Sequence, residues 1–235
     1  MRIVTFIALF FTLATAFAQF DDESDYTTEF TWGINKNTNS ALIGGFAFKY
    51  GRQKSAGIFH TFGVEILNVT HPKEQKYYSS ASGTNYIWGK ENYLYSFRFL
   101  YGREKLLYKK APQQGVQIST LLAAGPTLGL VAPHYLSRAA DGRYVKYNLS
   151  DFPSRSAVGG SGKIFQGLGE SKAEFGFSGK AGLSFEFGAF KNSVAGLETG
   201  FAVEAFTKKI PIMLQSRNRA VYNSLYFTLY WGKRR

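Results

Sequence analysis

The stretch "KAGLSFEFGAF", Lys180–Phe190, decides the fold class of this chain. Phe185 and Phe187 fall on one face of an extended chain, together with other apolar residues. Lys180 and Glu186 fall on the opposite face. A period of two indicates a β-strand with two unlike faces. The apolar face would point inward in a water-soluble sheet and outward, into lipid, in a membrane barrel.

The same alternation recurs along the whole chain, whereas a helical period of 3.6 residues is hard to find. The composition agrees, because it is rich in Phe, Tyr and Gly and lacks the bias of a helical protein. Eight strands are predicted, at about Thr28–Lys36, Ala41–Tyr50, Gly57–Val69, Asn92–Tyr101, Val116–Val131, Glu174–Phe187, Val194–Phe206 and Ser224–Gly232.

The connections between these strands differ in length. Those after strands two, four and six are fairly short, and the long ones lie at about 71–91, 132–173 and 207–223. Short turns on one side and long loops on the other are typical of transmembrane barrels. We therefore predict an all-β fold, a closed antiparallel transmembrane β-barrel over residues 28–235. Eight strands are expected, and ten are the alternative if the segment around Asp141-Gly142, which reads as a hairpin above the membrane, joins the barrel.

The beginning of the chain predicts export. Arg2 is followed by an uncharged apolar run that ends in Ala16-Phe17-Ala18, which is the pattern of a secretory signal. Residues 1–18 are therefore expected to be a cleaved signal peptide, and 19–27 a short periplasmic segment. The alternative, an N-terminal membrane anchor, would need a somewhat longer apolar run of about 20 residues. The sequence contains no cysteine, which excludes a lipoprotein anchor, disulfides and Cys-ligated metals.

The soluble alternative is a secreted β-sandwich with its aromatic faces packed together. Five aromatic residues in a row on one face of the fourth strand are excessive for a core face, and the charged faces are sparse and Gly-rich. A barrel also removes the sheet edges that lipid would not tolerate. In that barrel the predicted lumen charge network, whose opposite charges can pair, consists of Lys49, Glu65, Arg98, Lys180, Glu186, Glu198 and Glu204.

The chain resembles the small OmpA/OmpX-type outer-membrane barrels of Gram-negative bacteria in its signal, its alternating segments and its aromatic final strand "LYFTLYWG". It departs from them at its end, where "GKRR" follows the aromatic strand. The segments "GVEILNVTHPKE", "LSFEFG" and "KKIPIM" resemble more closely a family of uncharacterised outer-membrane proteins. The resemblance implies a fold and an outer-membrane location, and it implies no activity.

Histidines are the first candidates for chemistry. His60 is predicted on the lipid-facing side near the periplasmic end, and His71 and His134 near the outer mouth. The His-x-Ser pair of an eight-stranded lipid A deacylase occurs at none of the three. A looser set of His134 with Ser137 and Glu74 is conceivable, since a nucleophile and its base need only spatial proximity. No cofactor and no metal site is predicted.

Basic charge is the most informative feature for function. The chain carries a net charge of +12, and no acidic residue follows Glu204. An exported barrel is not expected to meet nucleic acid, so lipid phosphates are the expected counter-charges. The predicted contacts with lipopolysaccharide phosphates are Lys208, Lys209, Arg217 and Arg219. The terminal "GKRR" is expected at the periplasmic surface, and ordinary solubilising charge is the alternative reading of all these residues.

Three functions remain open from the sequence. The favoured one is a structural or interaction barrel with a side-chain-filled lumen. Its partners would be outer-membrane lipids, lipopolysaccharide and, during insertion, the barrel-assembly machinery. The alternatives are a lipid-modifying enzyme of the acyl hydrolase type and a narrow transport or ligand-binding barrel. The enzyme would require His71, His134 and a carboxylate within hydrogen-bonding reach, and the transporter would require a continuous cavity past Arg98, Glu65 and Lys180.

Overall fold

The computed structural model describes residues 26–41, 43–109, 115–163, 166–187, 192–214 and 216–235. The predicted signal peptide and most of the predicted segment 19–27 lie outside these residues. None of the helices in the described part of the chain is long and apolar enough to cross a membrane.

Strands dominate the described residues. In chain order they are β1 (Thr28–Asn37), β2 (Gly45–Ser55), β3 (Ile58–Val69), β4 (Lys76–Ser79), β5 (Thr84–Ile87), β6 (Asn92–Tyr108), β7 (Gln117–Pro133), β8 (Tyr135–Arg138), β9 (Tyr144–Lys146), β10 (Val158–Ser161), β11 (Lys172–Phe187), β12 (Ser193–Phe206) and β13 (Val221–Arg234). Short 3-10 turns lie at Arg155–Ala157 and Leu168–Glu170.

Eight of these strands close into one barrel, in the order β1-β13-β12-β11-β7-β6-β3-β2, and every neighbouring pair is antiparallel. The first and last strands close it, with Trp32 paired to Trp231. The predicted fold class, a closed antiparallel eight-stranded barrel, is confirmed. The main difference is β6, which continues from Tyr101 to Tyr108 through residues that the sequence assigned to a connection.

The two ends of the barrel are unlike. The long connections 70–91, 134–171 and 207–220 leave from one end, which we call the loop end. Both chain termini of the barrel and the turn at 56–57 lie at the other, which we call the turn end. There the main chain of Arg235 bonds to that of Thr27 and Thr28, so the last residue is held in the wall.

The long connections fold into small sheets of their own. Strands β4 and β5 form one hairpin, and β10, β8 and β9 form a three-stranded sheet. The two are joined, because the Ser79 hydroxyl donates a hydrogen bond to the Gly159 carbonyl. The hairpin predicted around Asp141-Gly142 therefore forms, as β8 and β9, but it lies outside the barrel and the strand count stays at eight.

The polarity of the barrel wall is the inverse of that in a water-soluble protein: apolar side chains lie outside and polar ones inside. Along β13, Leu225, Phe227 and Leu229 are each 50–54% exposed, whereas Tyr226 and Thr228 between them are at most 4% exposed. The other barrel strands repeat this pattern, with large apolar side chains outside and hydroxyls, amides and charges inside. Exposing such a surface to water is unfavourable. Large contiguous apolar patches therefore indicate contact with an apolar phase or with a partner.

Candidate functional site

A chain of ion pairs crosses the middle of the lumen. Lys49 Nζ lies 2.7 Å from Glu104 Oε2 and 3.5 Å from Glu198 Oε2. Glu198 Oε1 accepts from Lys180 Nζ at 2.7 Å, and Lys180 also lies 2.6 Å from Glu65 Oε1. Lys180 and Glu198 lie on neighbouring strands, whereas the pairs Lys49–Glu198 and Lys180–Glu65 join strands that are three apart in the barrel and so connect distant parts of the wall.

Arg98 continues this chain towards the loop end. Its Nη1 lies 3.3 Å from Glu65 Oε2, and its Nη2 lies 2.9 Å from Glu204 Oε2. The Ser96 hydroxyl donates a further hydrogen bond to Glu204. We call these three cations and four carboxylates the lumen charge network: Lys49, Arg98, Lys180, Glu65, Glu104, Glu198 and Glu204. Mutual pairing of this kind offsets part of the large cost of burying each charge.

A second group of charges closes the turn end. Arg234 Nε donates to Glu29 Oε2 at 2.7 Å, and its Nη1 donates to Glu186 Oε1 at 2.9 Å. The guanidinium lies 3.9 Å from the centroid of the Tyr26 ring, which in turn stacks on Phe59. The expectation that "GKRR" lies at the periplasmic surface is therefore wrong for Arg234, which is buried and turned into the lumen.

Of the seven lumen residues named from the sequence, the structure places six in the lumen charge network and Glu186 in the separate group at the turn end. Sequence reasoning missed Glu104, Arg234 and Glu29. Glu104 was missed because β6 was ended too early. Continuing the period of two from Arg98 through Glu104 puts both on the inner face, so the signal was present in the sequence.

A small cavity lies in the middle of the lumen. It is bordered by Lys49, Glu65, Lys180 and Glu198 and has a volume of about 30 Å³, which is enough to hold water. Hydroxyls fill the remaining polar positions, as where Tyr226 donates to Glu198 Oε1 at 3.1 Å.

The loop end of the lumen is closed by an apolar plug, which we define as residues Ile210–Met213. Ile210 and Ile212 are buried to 1% exposure or less and pack with Leu94, Val131 and Phe206 from the barrel wall. The plug is pinned by main-chain bonds, since the amides of Glu91 and Asn92 donate to the Ile212 carbonyl. The Asn218 side chain accepts from the Ile212 and Met213 amides.

A buried polar cluster joins the plug to the other loops. Lys90, only 1% exposed, pairs with Glu74 Oε2 at 2.8 Å and lies 4.2 Å from the centroid of the Tyr93 ring. The Lys90 carbonyl contacts His134 Nδ1 at 3.0 Å. Burial lowers the pKa of Lys90 even though Glu74 acts in the opposite direction. Burial also lowers the pKa of His134 to about 4, so this imidazole is neutral at pH 7.

The looser catalytic set is not assembled. Ser137 donates to the Gly142 carbonyl within its own hairpin, whereas His134 contacts Lys90. Glu74 accepts from the main-chain amide of His71 and not from its imidazole, whose Nδ1 accepts from the Lys73 amide at 3.2 Å. Within the described ranges, no group of three His, Cys, Asp or Glu residues has the arrangement of a metal site.

All four predicted phosphate contacts are exposed on the connection 207–220, beside the plug. The nearest carboxylate to Lys208 is Glu174, at 3.6 Å. For Lys209, Arg217 and Arg219 the described residues provide no ion-pair partner within 4 Å. The four cations are thus placed on one loop at the loop end, and their role as phosphate contacts stays a prediction.

Fold and lumen together define a class: small closed β-barrels with a polar, charged interior and an apolar exterior. No family model matches the sequence, and no curated protein matches it. Among solved structures, Ail, the attachment invasion locus protein of Yersinia pestis, aligns over 90% of this chain and 100% of its own, with a TM-score of 0.42 and 11% identity.

Two further solved structures are similar to this chain. Ail in complex with the heparin analogue sucrose octasulfate aligns over the same shares of both chains, with a TM-score of 0.41 and 11% identity. Neisserial surface protein A (NspA) aligns over 90% of this chain and 96% of its own, with a TM-score of 0.37 and 12% identity. These likenesses say nothing about individual residues of a site.

Proposed function

We propose that the protein is an integral outer-membrane barrel of the interaction type, whose folded outer loops and basic rim contact lipopolysaccharide. The observation that carries this proposal is the inverted wall, with Leu225, Phe227 and Leu229 outside and a charge network inside. A bilayer is the setting in which an apolar outer band and satisfied backbone edges are both favourable.

Orientation follows from the connections. Transmembrane barrels keep short turns on the periplasmic side and long loops outside. The loop end with its plug and small sheets is therefore extracellular, and the turn end with Arg234 is periplasmic. Export through the predicted signal at residues 1–18 and insertion by the barrel-assembly machinery belong to the same proposal.

The lumen supports an interaction role over transport. A cavity of only about 30 Å³, bordered by paired charges, supports a lumen that is too narrow for a solute. The plug Ile210–Met213 covers one end, and the Arg234 group covers the other. The charges therefore act as a polar core that holds the barrel together. Function is then left to the surface. The hydrogen bonds of His134 to Lys90 and of Ser137 to Gly142 do not support a catalytic pair.

Contacts with lipopolysaccharide are assigned to Lys208, Lys209, Arg217 and Arg219. They share one exposed loop, and only Lys208 has a carboxylate nearby among the described residues. Charge-assisted hydrogen bonds from Arg and Lys to phosphate are strong and well directed. Solvated cations at the outer rim would meet the phosphates of the outer leaflet without first breaking internal ion pairs.

The location is tested by density separation of membranes and by migration in detergent gels. We expect the protein in the outer-membrane fraction, and we expect unboiled samples to migrate faster than boiled ones because the closed barrel stays compact. We call this difference in migration the heat shift. Recovery as a soluble protein without a heat shift would contradict the proposal and support a β-sandwich.

The phosphate contacts are tested in the variant Lys208→Gln/Lys209→Gln/Arg217→Gln/Arg219→Gln. We expect lipopolysaccharide affinity to fall at least tenfold, which corresponds to about 1.4 kcal/mol. The heat shift should stay unchanged. Lys54→Gln/Lys105→Gln, which removes exposed charge at the opposite end of the barrel, is the control and should retain the affinity. Equal affinity in both variants would show that the loop cations only solubilise the protein.

A further inference from the structure

Three cationic or polar side chains stand side by side on the outer wall near the turn end. In the register of the barrel, Arg52 of β2 pairs with His60 of β3, and His60 pairs with Arg103 of β6. All three point outward, because Gly51, Thr61 and Gly102 beside them face inward and are buried. Neighbouring strands are about 5 Å apart, so two long arginine side chains can reach a group held between them.

These cations have no carboxylate to pair with. Within the described chain, no carboxylate lies within 4 Å of Arg52 or Arg103. The acidic residues of β1, β2, β3 and β6 are Glu29, Glu65 and Glu104, and all of them point into the lumen. This part of the wall therefore presents uncompensated positive charge to its surroundings.

An apolar groove begins one residue pair along the same strands, towards the loop end. Its volume is about 480 Å³, within the range of about 300–1,000 Å³ that is usual for small-molecule sites. Aromatic and branched side chains line it: Phe48, Tyr50, Phe62, Val64, Phe99 and Tyr101. Most of these side chains are at least 37% exposed, so they contact whatever surrounds the barrel.

One hydrogen bond connects the cationic row to the groove. His60 Nδ1 lies 2.5 Å from the Tyr101 hydroxyl, and the Phe62 and Tyr101 rings contact each other with centroids 5.1 Å apart. Tyr101 thus reaches from the groove to the row. When its hydroxyl donates to Nδ1, the Nε2–H of His60 is left as a third donor beside the two guanidinium groups.

We infer that this surface binds one anionic phospholipid of the periplasmic leaflet. Arg52, His60 and Arg103 hold the phosphate, and the groove seats an acyl chain. Three features of the wall fit this ligand: a cationic row, an adjoining apolar groove, and a position at the turn end, where the chain meets the inner boundary of the bilayer. Arginine pairs suit phosphate because each presents a planar set of donors. The inference rests on the proposed membrane location.

Native mass spectrometry of the purified full-length barrel tests the inference. The probes are phosphatidylglycerol and phosphatidylcholine with identical acyl chains, and the heat shift is recorded first. We expect wild type to retain phosphatidylglycerol roughly tenfold better than phosphatidylcholine, because both lipids carry the phosphate but Arg52 and Arg103 repel the choline cation of phosphatidylcholine. In Arg52→Gln/Arg103→Gln the preference should vanish. Arg52→Lys/Arg103→Lys should keep most of it.

Two further variants separate the parts of the site. Lys73→Gln/Lys76→Gln removes the same amount of charge from exposed positions at the loop end and should leave phosphatidylglycerol retention unchanged. Val64→Trp fills the groove and should lower retention of the lipid. Unchanged retention in Val64→Trp would overturn the acyl-chain part of the inference, and so would equal binding of inorganic phosphate alone.

The outcomes also separate this inference from the proposed function. A barrel that shows the heat shift and enters the outer membrane but has no headgroup preference would overturn only the lipid site. The same preference in wild type and Arg52→Gln/Arg103→Gln would do so as well. A protein that does not enter a membrane would overturn both.

Discussion

At the scale of the residue, Glu198 carries the most connections in the lumen. It accepts from Lys180 and from Tyr226 and lies beside Lys49, so it links its own strand β12 to β11, β13 and β2. Such a network adds little stability compared with an apolar core of the same volume. Removing one of its members, however, lowers the stability strongly. Removing one partner leaves buried cations whose desolvation is no longer offset.

The first prediction concerns this residue. Glu198→Ala should lower the free energy of unfolding by about 3–5 kcal/mol, because Lys49 and Lys180 then share fewer carboxylates than they need. Urea unfolding of the barrel in lipid vesicles measures it. The control is Glu174→Gln, which loses only a long, largely exposed ion pair with Lys208 and should change stability by at most about 1 kcal/mol. Similar costs for the two variants would contradict a network that braces the lumen.

The second prediction concerns His134. Its pKa is about 4 in the folded protein and 6.5 when exposed, so the unfolded chain binds the extra proton first as pH falls. The His134 contribution to stability is therefore complete above pH 6.5 and is lost between pH 6.5 and 4. The loss is on the order of 3 kcal/mol.

Hydrogen exchange of the loop sheets across this pH range measures the effect. Protection should fall on acidification in wild type, and the dependence should flatten in His134→Gln. His60→Gln is the control, since His60 lies on the outer wall, and its pH profile should match wild type. A profile that stays the same in His134→Gln would assign the acid sensitivity to another group.

At the scale of the element, alternation predicted the barrel strands well and the loops poorly. Each barrel strand has an apolar outer face and a polar inner face, so apolar and polar residues alternate along its sequence. The end of β6 was missed because Gly102 and Arg103 read as a turn, although the inner-facing sequence continues to Leu106. The plug could not be predicted, because the run "IPIM" is too short to show a period and its burial depends on wall residues distant in sequence.

The third prediction concerns the plug. Ile212→Ala should destabilise the loop end by about 2–5 kcal/mol, since it leaves a cavity among Leu94, Phe206 and Met213. Limited proteolysis of the connection 207–220 should become faster as the stability of the loop end falls, while the heat shift of the barrel remains. Pro211→Ala, at an exposed position of the same segment, is the control and should resemble wild type. Unchanged proteolysis in Ile212→Ala would show that the plug does not hold the loop.

At the scale of the whole molecule, the defining property of the protein is that the barrel wall is apolar outside and charged inside. The lumen residues could be predicted because charges inside a closed barrel must alternate with the lipid-facing positions. The pairing among them could not, because it depends on the register of eight strands. The neutral His134, the buried Lys90 and the inward Arg234 are consequences of tertiary packing, which a single sequence does not display.

One measurement tests this property most directly. The chain contains no cysteine, so single nitroxide labels can be attached at Phe227→Cys on the wall and at Asp141→Cys in the outer hairpin, with the protein in vesicles. We predict that oxygen reaches the label at position 227 much more than a water-soluble nickel chelate does, and that this ratio is reversed for the label at position 141. Access of the chelate to position 227, or burial of that position from both reagents, would contradict a barrel whose aromatic face lies in lipid.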